Sequence, residues 1–66
     1  MGPFISVQYP EGTRVQINTV DNLHLIGVIK GYRFEDDKVT GVFLELEHNS
    51  EVILVTRGEI TSIFDV

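Results

Sequence analysis

Apolar and polar residues alternate with period two along much of this chain, and no segment sustains the 3.6-residue spacing of an amphipathic helix. Thr13-Arg14-Val15-Gln16-Ile17-Asn18-Thr19-Val20 reads as a half-buried strand, and Asp21-Asn22 supplies the turn after it. Residues 23–34 form a long return strand whose two glycines, Gly27 and Gly31, permit a sharp bend or a bulge. Glu35-Asp36-Asp37-Lys38 is a charged turn. In the third strand, residues 39–47, Val42, Leu44 and Leu46 face one way and Phe43, Glu45 and Glu47 the other. His48-Asn49-Ser50 turns the chain into residues 52–55, apolar on both faces and so predicted to be covered on both. A corner at Arg57-Gly58 separates that run from a last short one, residues 60–64. Upstream, Ile5, Val7 and Tyr9 alternate with Ser6 and Gln8 between Pro3 and Pro10, which predicts an extended segment over 1–11 ahead of a folded domain over 12–66.

Five strands at short spacing in antiparallel order, one of them strongly bent, predict an all-β fold: a small, partly open, five-stranded barrel of the SH3-like or Sm-like type. Such a barrel leaves strand edges that must be blunted by charge or paired with another subunit. Size points the same way. A chain of 66 residues buries only about 60% of the surface its unfolded state exposes, so its core alone is a marginal source of stability. With no cysteine there is neither a disulfide framework nor a thiolate metal site. His24 and His48 are too far apart in sequence for a helical ligand pair, so no metal and no cofactor is expected. Oligomerisation is the reinforcement that remains.

Met1 to Val7 lacks a basic region and a long apolar core, and nothing approaches the length of a membrane span; the reading is a soluble, cytoplasmic protein with no membrane partner. Met1-Gly2 with Ser6 fits the permissive myristoylation pattern, which Pro3 and the looseness of the pattern argue against. Ten acidic against five basic side chains give a formal net charge of −5, which opposes nonspecific attraction to nucleic acid. Any such role must be local, because Arg14, Lys30, Arg33, Lys38 and Arg57 are dispersed. The acidic turn lacks the spacing of a calcium loop, and no nucleophile, base and orienting group stand at catalytic spacing, so no enzyme activity is expected.

Gly12, Val15, Ile17, Asp21-Asn22, Gly27 and Gly31-Tyr32 resemble, in order and spacing, the first motif of the Sm and Sm-like family, including its bacterial Hfq-like branch. The apolar run, Arg-Gly and second apolar run between Val52 and Phe64 are similar to the second motif, and Ile60-Thr61-Ser62-Ile63 looks like the Ile-Ser-Thr-Val strand of the Hfq-like branch, which carries Lys-His where this chain has Arg57-Gly58. The resemblance covers nearly all of the chain after Pro10. It implies a bent barrel whose fourth strand pairs with the fifth strand of a neighbour, closing a homo-oligomeric ring of about five to seven subunits. It also implies a pore site for single-stranded, uridine-rich RNA, with a base stacked on arginine and read by a polar residue after the bent strand.

Arg57 matches the stacking arginine and Gly58 its companion; Asp37 falls nearest the reading position, where the family has an amide. Asp37 lacks the donor of an amide and would repel phosphate. The structural alternative for Arg57 ties the corner to a carboxylate such as Glu59, and Gly58 is expected to serve a positive-φ corner or a close backbone approach. Tyr32 and Phe34, alternating with Arg33, share a face that either stacks bases or joins the core; in the second case Arg33 points to solvent or a partner. The competing functional reading is an SH3-like protein-interaction or scaffolding module without an RNA role, which the negative charge and Asp37 favour.

Overall fold

The computed structural model describes residues 9–66, so the predicted extended segment over 1–11 lies almost wholly outside the described residues. Five strands follow one another: β1 (Arg14–Thr19), β2 (His24–Glu35), β3 (Lys38–Leu46), β4 (Val52–Thr56) and β5 (Ile60–Asp65), with a single 3₁₀ turn, Arg57–Glu59, between the last two. They form one antiparallel sheet in the order β4-β3-β2-β1-β5. The fold is all-β, bent and compact, and the sheet does not close into a barrel. β4 and β5 are adjacent in sequence yet occupy opposite ends of the sheet.

The alternation in the sequence becomes the inner face of this sheet. Val15, Ile17, Ile29, Val42, Leu44, Leu46, Val55 and Ile60 are buried together, and Tyr9, Leu25, Tyr32, Val39, Ile53 and Ile63 pack against them. Phe43 and Glu45, on the opposite face of β3, are half-buried, as their spacing predicts.

Bending concentrates in β2. Its pairing with β3 shifts register between Ile29 and Gly31 and again between Arg33 and Phe34, the signature of bulges that turn a strand. The second shift interrupts the alternation that put Tyr32 and Phe34 on one face. Tyr32 packs on the core and donates its hydroxyl to the Tyr9 carbonyl at 2.6 Å, whereas Phe34 is 56% exposed.

The turn between β2 and β3 is tighter than the sequence suggests, and the one between β1 and β2 is longer. Glu35 and Lys38 pair within the strands, leaving Asp36 and Asp37 alone at the hairpin tip, with φ of 53° and 64°; both aspartates tolerate this left-handed region better than most side chains. Between β1 and β2, Asn22 takes φ of 68° and the Leu23 backbone N–H donates to Thr19 Oγ1 at 3.0 Å. β4 departs from the expected coverage on both faces. Val55 is buried, Ile53 and Leu54 are half-buried, and Val52 is 54% exposed, because β4 is an outer strand with no described strand beyond it.

Candidate functional site

The corner after β4 is organised by a carboxylate. Glu59 Oε1 accepts hydrogen bonds from the Thr56 backbone N–H at 3.0 Å and the Thr56 hydroxyl at 2.9 Å. These bonds hold the Glu59 carboxyl below the usual glutamate range, the backbone donor contributing most, while nearby Asp21 pushes weakly the other way. The Glu59 carbonyl in turn accepts from the Val20 N–H at 2.9 Å, fastening the β1–β2 turn to the corner. The spacing Thr56-x-x-Glu59 is that of a capping box, the sequence signal that could have revealed this clamp around Arg57-Gly58.

Glu59 Oε1 is engaged by Thr56, and among the described residues the Arg57 side chain makes no hydrogen bond or ion pair. Arg57 is exposed on a turn whose backbone is fixed on both sides. Gly58 corrects the expectation made for it. Its φ is not positive, and a Cβ built there would meet no atom within 4 Å. Neither backbone strain nor packing among the described residues requires a glycine at that position.

Arg33, the second candidate cation, is held laterally. Its Nε donates to Thr40 Oγ1 at 2.9 Å and lies 3.8 Å from a Glu35 carboxylate oxygen. The register Arg33–Gly41–Thr56 across β2, β3 and β4 puts Arg33 in the row next to Arg57. Asp37 is elsewhere. It sits exposed at the hairpin tip, four residues before Gly41, which at the rise of a strand is about 13 Å from that row. The structure therefore gathers Arg33, Thr40, Arg57 and Gly58 at one end of the sheet and leaves Asp37 beyond them.

Elsewhere cations and acids neutralise one another. Arg14 grips both oxygens of Glu47, at 2.6 and 3.2 Å, which lowers the Glu47 carboxyl and raises the Arg14 guanidinium. Lys30 lies 3.5 Å from Glu45. Among the described residues, Lys38 and Arg57 are the cations left without an ion pair.

Sequence reasoning missed a second grouping. His24, Ile26, Glu47 and His48 line one cleft of about 250 Å³. The backbone bond from Glu47 N–H to the Ile26 carbonyl, 3.0 Å, brings together histidines 24 residues apart in sequence. Only long-range pairing could have revealed that. Comparison with family models, curated proteins and solved structures finds no match to this chain.

Proposed function

We propose that this chain is a subunit of an Sm-like homo-oligomeric ring that binds single-stranded, uridine-rich RNA at the corner carrying Arg57. The observation that carries this reading is the placement of β4 and β5 at the two ends of the sheet, each with an outer edge that no described strand pairs. Residues 52–56 contain no charge and no proline, and β5 carries its single charge at its last residue, Asp65. Of the six exposed large apolar side chains among the described residues, Val52 on β4, Phe64 on β5 and Val66 just beyond lie at these two ends, while Val20, Leu23 and Phe34 lie elsewhere. Edges of this composition are aggregation-prone unless paired. Pairing β4 of one subunit with β5 of the next is head-to-tail, and a head-to-tail contact whose rotation closes makes a ring.

In such a ring the corner between β4 and β5 recurs once per subunit. A guanidinium with no internal partner can stack on a base and donate to it at once. Gly58 leaves the adjacent backbone open to close approach. The proposed activity is binding without catalysis, in RNA processing or regulation, in a cytoplasmic setting. No described helix is long and apolar enough to cross a membrane.

A protein partner in place of RNA is favoured by the net charge of −5 and by the exposed acidic tip at Asp36 and Asp37, which repels phosphate. Oligouridine binding separates the readings. On the RNA reading, affinity falls as salt rises and drops by roughly tenfold or more in Arg57→Ala, the scale of one lost base-stacking contact. Absence of binding at low salt, or an Arg57→Ala variant that binds as well as the parent, leaves the protein-partner reading standing.

A further inference from the structure

The cleft between His24 and His48 lies on the outer face of the sheet, apart from the Arg57 corner, and a side-chain hydrogen-bond network holds one of its walls. Asn18 faces His24 across the β1–β2 pairing and Ser62 across the β1–β5 pairing. The Asn18 amide nitrogen donates to Ser62 Oγ at 3.0 Å, while its Oδ1 accepts from Gln16 Nε2 at 2.9 Å and lies 2.6 Å from His24 Nδ1. In the amide orientation in which Asn18 Nδ2 donates to Ser62 Oγ, Oδ1 accepts from His24 Nδ1–H, the tautomer that leaves the Nε2 lone pair free.

An imidazole whose Nδ1–H is held by an oxygen acceptor, leaving Nε2 available, is the arrangement that orients histidine ligands on metal ions. His48, in the turn after β3, lines the same cleft and is the second histidine within reach of it. Glu47, on the same wall, has both carboxylate oxygens on Arg14, so the two imidazoles are the available donors. Among the described residues no three His, Cys, Asp or Glu side chains form a preassembled metal cluster. The two histidines would supply two ligands and water the others.

We infer that His24 and His48 form an exchangeable site for a borderline divalent transition ion, of the class of Zn²⁺, Ni²⁺ or Cu²⁺. Imidazole nitrogen suits these ions, whereas Mg²⁺ and Ca²⁺ demand oxygen ligands. The acidic balance of the whole chain raises the local concentration of cations over that of anions. The site is independent of whether the Arg57 corner binds RNA.

The test is a titration of the full chain with Zn²⁺, Ni²⁺ and inorganic phosphate in separate arms, followed by calorimetry and by the imidazole NMR signals. The expected result is saturable binding of one metal ion per chain, with the His24 and His48 signals moving together. His48→Gln, on an exposed turn and without a side-chain hydrogen bond among the described residues, should keep the fold and weaken binding at least tenfold. Asn18→Ala acts through His24 as a positioning change and should weaken binding by about tenfold, the scale of lost outer-shell partners. Absence of saturable metal binding, metal binding unchanged in His48→Gln, or a cleft that takes phosphate and not metal would each overturn the inference.

Discussion

A Cβ built on Gly27 would stand 2.2 Å from the carbonyl oxygen of Glu45, on the strand that β2 crosses as it bends. That contact is with backbone, which cannot swing aside. Gly27→Ala should therefore force the two strands apart, with a loss of about 1–3 kcal/mol or more from overpacking. Gly31→Ala is the matched control, since its nearest neighbour would be a flexible Glu11 side-chain oxygen at 3.8 Å. Urea unfolding of both variants checks the contrast, and equal stabilities would contradict it.

The Thr56–Glu59 clamp makes the corner sensitive to acid. Because the folded-state pKa of Glu59 is lowered, its contribution is present above the unfolded glutamate value of about 4.3 and is lost as pH falls through the lower folded value. The Thr56 amide signal should accordingly titrate with a midpoint below the usual glutamate value, and the titration should vanish in Glu59→Gln. A midpoint at or above that value would refute the hydrogen-bond assignment. Glu47, lowered by Arg14, adds a second acid-labile contact at a distance from the corner.

Much of the fold was readable because its signals are local. The first three strands follow from period-two alternation and the last two from short apolar runs, and Asp21-Asn22, Asp36-Asp37 and His48-Asn49-Ser50 sit at the turns where their chemistry predicts them. The exposure of Phe34 was not readable, because a bulge after Arg33 breaks the alternation without leaving a mark in composition. The edge position of β4, which exposes Val52, depends on strand order rather than on hydrophobicity. Of the candidate site, Arg57 is exposed without a hydrogen bond or ion pair among the described residues, while Asp37 is held at a hairpin tip and Arg33 is tied to Thr40. The pairing of His24 with His48 needed the register between distant strands.

Gly58 offers a test that separates folding from binding. With ordinary φ and open space around it, Gly58→Ala should leave thermal unfolding unchanged or stabilise by about 0.4–1 kcal/mol through the unfolded state. The same methyl group would obstruct a base or a neighbouring backbone seated at the corner. Weaker oligouridine binding without loss of stability is the expected pair of results. A destabilised Gly58→Ala chain would show that the glycine serves the fold.

The proposal depends most on what happens to the free edges of β4 and β5. Native mass spectrometry of the full chain at micromolar concentration addresses them directly, with Val52→Lys placing a charge on the exposed end of β4. The account predicts one discrete oligomer of about five to seven subunits, dissociated by the lysine. A parent chain that remains monomeric would contradict it.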